Sequence, residues 1–312
     1  MNNDIWFGYH VTSEGLNFEK MKHICLTAEE VGIDLFTTTD HFMNMMNPMG
    51  KENHPLECWT LLAGLAAVTK KIRLGPLVSC YGYRAPTLLA KIATSVDIIS
   101  NGRLVMGLGA GWHQAEFKGF YGKFPPTKER IQGFEDTLAI VHSMFRNEHT
   151  SYNGKIFSVE NTLNSPPPIQ KEVPMMTGVF GKLTIKIATR YADIIHCLFD
   201  PRPEVVDKRK LQIAEGCKEA GRNPDEIRIA AGYSLWLNPT KEDISRRVMR
   251  LKMRGGISAK EAKEIVNSAP STPEAHIEVM QELINRGLRL FTFMGSTDNL
   301  KIFGEKVISE LK

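Results

Sequence analysis

The stretch NGRLVMGLGAGW, Asn101 to Trp112, governs how the rest of the chain is read. Residues 104–108 have the character of a strand, and it runs into alternating glycines, Gly107, Gly109 and Gly111. Glycine has no Cβ, so a flat ligand can lie close against such a backbone. The strand end is therefore a candidate floor for a cofactor ring. A dinucleotide fingerprint would need G-x-G-x-x-G opening directly into a helix. Here the run is G-x-G-x-G, and Trp112 follows. Beyond it, Phe117, Phe120, Tyr121, Pro125 and Pro126 read as an aromatic loop. No Gly-Lys-Ser/Thr follows, which excludes a P-loop.

Outward from this strand, short apolar runs alternate with helical patterns. Strands are expected at residues 5–11, 35–39, 72–79, 104–108, 173–178, 194–199, 227–237 and 288–294. Helices are expected at 18–31, 56–68, 86–99, 129–145, 183–191, 204–220 and 300–311, with helical segments between the seventh strand and Val266. Thr272, Pro273 and Glu274 read as a cap, a first-turn proline and an acidic first turn, opening a helix to Arg286. Eight strands, each followed by helix, give an α/β fold: a single (β/α)8 TIM barrel over residues 1–312, one domain. A doubly wound open sheet is the competing arrangement. Two insertions are expected over the C-terminal face. One holds Tyr152-Asn153-Gly154-Lys155, an Asn-Gly hairpin turn, then Pro166-Pro167-Pro168. The other holds Gly255-Gly256, a helix break or a hinge, and a capping-box-like Ser258 and Glu261.

Bulk properties narrow the partners. The net charge of +4 over 312 residues implies no nucleic acid. No apolar run reaches the roughly 18 residues of a membrane helix. The N-terminal MNNDIWFGYH lacks the pattern of a signal peptide. The five cysteines, Cys25, Cys58, Cys80, Cys197 and Cys217, form no C-x-x-C pair, and an odd number argues against a disulfide framework. A reducing, cytoplasmic location is expected. The basic cluster Arg246, Arg247, Arg250, Lys252 and Arg254 reads either as a solvated helix face or as an anchor for an anionic tail.

A barrel concentrates chemistry at the C-terminal ends of its strands. Asp40 and Glu14 are the acidic candidates there, with His41 beside Asp40. A carboxylate in a partly desolvated pocket, or a histidine, can move a proton. Equally, Asp40 could cap the loop and His41 satisfy a backbone group. The segment Gly178-Val179-Phe180-Gly181-Lys182-Leu183-Thr184 opens a helix, so it is either a phosphate site with Lys182 and Thr184 as extra donors or an ordinary turn. Of fourteen methionines most are core filler, but Met43, Met45, Met46 and Met49 follow His41, where an apolar wall could cover an aromatic ligand. No H-x-x-x-H or zinc-type spacing appears, so no metal is expected. No G-x-S-x-G elbow appears either.

TTTDHF at Thr37–Phe42, IRLGPLVS at Ile72–Ser79, NGRLVMGLGAGWHQAEF at Asn101–Phe117, FPPTKERIQGFEDTL at Phe124–Leu138 and ATRYADIIH at Ala188–His196 resemble the bacterial-luciferase-like superfamily of flavin and deazaflavin oxidoreductases. The resemblance spans nearly the whole chain. GYHVTSEG and the DHF at Asp40–Phe42 resemble the branch that uses coenzyme F420, a 5-deazaflavin. This implies a hydride transfer between F420 and a small organic substrate, with Asp40, His41 and Glu14 as catalytic residues. It implies a cofactor site made by Asp40, Leu77, Val78, Ser79, Gly109, Ala110, Gly111, Trp112, Thr177, Gly178, Val179, Phe180, Gly181 and Lys182, and a non-prolyl cis peptide at Leu77–Val78. Trp112 stands where the sugar-phosphate dehydrogenases of that branch carry a Glu, so glucose 6-phosphate does not carry over with the cofactor. The alternatives are a two-component monooxygenase using reduced FMN, and a non-catalytic flavin-binding paralogue; a flavin or F420 reductase is the partner implied. The resemblance also implies a homodimer.

Overall fold

The structure, a computed structural model, describes residues 4–45, 47–198, 201–253, 258–267 and 269–312. Met46, the end of the expected sixth strand at Phe199, Asp200, Arg254 and the Gly255-Gly256 pair lie outside the described residues. In chain order the elements are β1 (Trp6–Val11), α1 (Phe18–Glu30), β2 (Leu35–Thr38), α2 (Cys58–Val68), β3 (Arg73–Pro76), β4 (Ser79–Cys80), α3 (Pro86–Ser100), β5 (Met106–Gly109), α4 (Gln114–Tyr121) and α5 (Thr127–Arg146). A two-stranded insertion follows, β6 (His149–Asn153) and β7 (Ser158–Leu163). Then come β8 (Met175–Gly178), α6 (Lys182–Tyr191), β9 (Ile194–Leu198), α7 (Pro203–Ala220), β10 (Arg228–Ser234), α8 (Lys241–Met253), α9 (Ala259–Asn267), α10 (Pro273–Asn285), β11 (Leu288–Met294) and α11 (Thr297–Phe303), which continues helically to Leu311.

Nine strands pair in parallel in the order β3-β2-β1-β11-β10-β9-β8-β5-β4. The ends of that ribbon meet: Leu74 of β3 bridges Leu104 just before β5, with Leu74 N–H on Arg103 O at 3.0 Å and Val105 N–H on Leu74 O at 2.9 Å. A closed barrel follows, and the open doubly wound sheet is excluded. The third barrel position is a broken strand. Leu77–Val78 is a cis peptide. Before it, Leu77 N–H still bonds Thr38 O of β2; after it, Ser79 and Cys80 pair with β5. The single expected strand at 72–79 is therefore two short ones that hand pairing from one neighbour to the other.

Side chains of a strand alternate between faces, and here the inward set builds layers. Trp6, Leu35, Val105, Met176, Ile194, Ala230 and Leu290 form an apolar plug inside the barrel. Arg228 and Arg73 stack over Trp6, their guanidinium carbons 3.9 and 4.3 Å from its ring centre. Two residues further along the strands the inward positions are Gly8, Thr37, Gly178, His196, Gly232 and Thr292, and then His10 and Thr39. The plug closes the barrel below, and small or polar residues leave space above. Gly107 belongs to the closure: a Cβ there would overlap the Pro76 carbonyl oxygen. Its role is strand approach.

Two local expectations change. The aromatic loop after Trp112 contains α4, capped by His113, whose ring accepts from Glu116 N–H, and ended by Gly122 at φ 76°. Histidine is not among the residues whose side chains usually signal a helix start, so the turn was hidden. The Asn-Gly turn is a four-residue loop, since Asn153 pairs with Ser158. Asp136 of α5 holds that loop by accepting from Ile156 and Phe157 N–H, which draws the hairpin along α5 and brings Phe157 against Tyr81.

Candidate active site

A cavity of about 630 Å³ opens above the plug at the C-terminal end of the barrel. Its volume lies in the range of small-molecule sites, roughly 300–1,000 Å³. Of the residues expected for the site, Asp40, His41, Leu77, Val78, Ser79, Gly109, Ala110, Gly111, Trp112, Gly178, Val179, Phe180 and Gly181 all line it. Three do not. Glu14 accepts from Met45 N–H at 2.7 Å and so braces the segment after His41. Thr177 sits between the inward-facing Met176 and Gly178, and the strand alternation turns its side chain toward the helices. Lys182 is 74% exposed and pairs with Glu215 of α7.

Val78, just past the cis bond, is the centre of the wall. A Cβ on Gly109 would come within 2.5 Å of Val78 Cγ2, and one on Gly178 within 3.1 Å. Glycines on both sides thus leave room for Val78 itself. Gly111 is needed for its own backbone, at φ 67°. Trp112 is 62% exposed, and its ring meets the His41 ring edge-on at 5.5 Å.

Asp40 is not a free acid. Its fully buried carboxylate accepts from Ser79 Oγ at 2.6 Å, from Cys80 N–H at 3.3 Å, and from both terminal nitrogens of Arg84 at 2.7 and 3.0 Å. Arg84 also bonds Glu57, the N-cap of α2. Burial works against the Arg84 charge, but the two carboxylates more than offset this and raise its pKa. Ser79 in turn accepts from Trp59 Nε1–H.

His41 carries the other network. Its Nδ1 lies 2.8 Å from Glu116 Oε2. Glu116 is fully buried on α4 and also accepts from the N–H groups of Phe42 and Met43, at 2.6 and 2.9 Å, and from Tyr83 OH. Burial alone would raise the Glu116 pKa. The donors His41, Tyr83 and Met43, with the His41 charge, outweigh burial and hold it at about 2. An ionised carboxylate only accepts, so the His41 Nδ1 is the protonated one and Nε2 is left for chemistry. Glu116, Arg84, Tyr83, His10 and His196 were not singled out from the sequence. Glu116 had a faint signal, a carboxylate three residues after a cap position.

The sequence profile of the luciferase-like monooxygenase family matches residues 4–298. The chain belongs to that family. This luciferase-like protein is 23% identical to an F420-dependent glucose-6-phosphate dehydrogenase of Microbacterium testaceum, over 98% of the chain and 97% of that enzyme. It is 29% identical to pyrimidine monooxygenase RutA of Variovorax paradoxus, over 66% of the chain and 56% of that enzyme's length. Its fold is that of the coenzyme F420-dependent tetrahydromethanopterin reductase of Methanopyrus kandleri, with a TM-score of 0.82 at 20% identity, covering 99% of this chain and all of that one. Among the described residues of this luciferase-like chain, no group of three His, Cys, Asp or Glu side chains could hold a metal ion. No helix among them is long and apolar enough to cross a membrane.

Proposed function

We propose that the chain is an oxidoreductase that moves a hydride between coenzyme F420 and a small organic substrate, with His41 moving the accompanying proton. The observation that carries this reading is the His41–Glu116 pair beside a glycine-walled cavity. The end-to-end likeness to an F420-dependent enzyme supports the choice of cofactor.

The residues fit a flat, largely apolar ring. Glycines and Val78 make a smooth wall, and Thr39 Oγ1, in the cavity lining, has no hydrogen-bond partner among the described residues. Gly181 caps α6 without a side-chain bond, so the first N–H groups of that helix are available to an anionic tail. When bound, the deazaflavin supplies hydride transfer at C5 of its ring. Val78, Gly109, Ala110 and Gly111 would hold the ring, and Gly178, Val179, Phe180, Gly181 and Thr184 the side toward the tail. Trp112 and Phe180 shield the opening from water. His41 takes or gives the proton at Nε2 while Glu116 fixes its tautomer and orientation. Asp40 acts through Ser79 and Arg84 as a positioning residue, and Glu14 through the backbone of Met45. In this reading both act through other groups, and His41 alone of the three expected catalytic residues moves a proton.

A second reading, a two-component monooxygenase using reduced FMN and a separate reductase, is favoured by the likeness to RutA. A fully buried Glu116 holding a partly exposed His41 at the cavity argues against a non-catalytic paralogue. Titration of the purified protein with F420 and with oxidised and reduced FMN separates the readings. Low-micromolar binding of F420 without comparable FMN binding is expected. Tight binding of reduced FMN alone would replace this reading with oxygen chemistry.

A further inference from the structure

Two histidines of the barrel interior take no part in the chemistry above. His10 ends the inward series Trp6, Gly8, His10 of β1, and His196 follows Ile194 in β9; both line the cavity above the apolar plug. Thr292 donates its hydroxyl hydrogen to Ala231 O at 3.1 Å. The same hydroxyl lies 2.9 Å from His196 Nε2, which ties the second ring to β11. Thr37 is fully buried, and the partner of its hydroxyl is His10 Nδ1 at 2.9 Å. If that nitrogen bore the proton, the hydroxyl hydrogen would be buried without an acceptor, which folded proteins avoid. The hydroxyl donates, and His10 carries its proton on Nε2, which has no partner among the described residues.

Both rings are uncharged. Burial first, and the His41 charge second, lower the His10 pKa to about 4; burial and His10 lower that of His196 to about 3. Among the described residues, those lining the cavity include no Lys or Arg. A floor of this kind cannot neutralise a phosphate or a carboxylate. It can donate a hydrogen bond to a carbonyl oxygen, and it suits the neutral edge of a heterocycle. Trp112 is exposed at the mouth with its ring against His41; on the functional reading above a substrate would enter there, which leaves the inner floor to the cofactor.

We propose that His10 Nε2–H is a hydrogen-bond donor to a ring carbonyl of the flavin-type cofactor, and that this uncharged floor sends the carbonyl-bearing edge inward and the anionic tail outward to α6. This rests on the functional reading above.

The test uses the full-length protein with F420, FMN and riboflavin as probes, binding followed by fluorescence, and histidine side-chain long-range 1H–15N spectra. The spectra at pH 7 should show His10 neutral with its proton on Nε2, and that proton moving downfield when a probe binds. His10→Leu should weaken binding of the probe that wild type binds by about tenfold or more, as expected for one lost buried hydrogen bond. His10→Gln, which keeps a donor, should stay within about threefold of wild type, and Thr37→Val, which removes the hydroxyl holding Nδ1, should fall between. Wild-type affinity in His10→Leu, or a wild-type His10 protonated on Nδ1 or charged at pH 7, overturns the proposal. If His10→Leu does not fold, Thr37→Val and the spectra decide. Wild type that binds none of the probes sinks the functional reading and this proposal together, whereas binding that ignores residue 10 sinks this one alone.

Discussion

Glu116 Oε2 and His41 Nδ1 meet at 2.8 Å although 75 residues separate them, one on α4 and the other just after β2. The carboxylate also collects the two N–H groups that follow His41 and the Tyr83 hydroxyl. One buried charge thus fixes both the imidazole and the backbone that carries it. Glu116→Gln keeps the volume but can accept through one oxygen only, and it frees the His41 tautomer. Turnover should fall about 10- to 100-fold, the scale of losing an oriented proton-transfer group or its support. Cofactor affinity should change little. Steady-state kinetics beside a fluorescence titration checks both, and full turnover in Glu116→Gln would remove His41 from its assigned role.

The same carboxylate sets an acid limit on stability. Its pKa falls from 4.5 to about 2 on folding, burial being outweighed by the donors around it. A depressed carboxylate stabilises the fold in full above its unfolded pKa, and that contribution is lost as pH falls through the folded one. The window therefore runs from about pH 4.5 down to about pH 2, and the contribution is at most about 3 kcal/mol. Denaturant melts across that range should show wild type losing stability that Glu116→Gln never had. Parallel curves for the two proteins would contradict this.

Arg84 should matter to stability more than to chemistry. It is the sole cation on the buried Asp40 carboxylate among the described residues, and it links that carboxylate to the cap of α2. Arg84→Met leaves a buried charge uncompensated, which costs about 3–5 kcal/mol. Adding Asp40→Asn should return part of that loss, because no naked charge then remains. Chemical denaturation of the single and double variants measures the coupling.

The barrel was legible because eight apolar runs alternate with helical patterns, and the Asp40-His41 and glycine positions were legible because strand ends carry function. What stayed hidden depended on contacts far apart in sequence. Glu116 gains its meaning from residues 41–43 and 83. Arg84 gains its meaning from Asp40 and Glu57. His10 and His196 sit in ordinary strand sequence, and only closure of the barrel makes them neighbours of one cavity. Lys182 shows the converse. A lysine at a helix start resembles a phosphate ligand, but on α6 its side chain runs outward to Glu215.

Lys182→Ala should therefore leave cofactor affinity within about threefold of wild type and stability within about 0.5 kcal/mol, since an exposed ion pair contributes little. A titration of the variant decides. A tenfold loss of affinity would mean that Lys182 swings to the tail when the cofactor is bound.

The alternating glycines of β5 should separate under mutation. Gly107→Ala places a Cβ onto the Pro76 carbonyl oxygen, where backbone meets backbone and neither strand can yield without opening the barrel seam. That variant should lose about 3 kcal/mol or more, or fail to fold, at the upper end of overpacking costs. Gly109→Ala instead meets the Val78 side chain at 2.5 Å. A side chain can shift, so the barrel should survive with a loss of about 1–2 kcal/mol, while Val78 is pushed into the cavity and cofactor affinity drops about tenfold or more. Thermal melts and titrations of the two variants together give the answer. If Gly109→Ala folds and binds like wild type, Val78 is not the wall against which the ring rests.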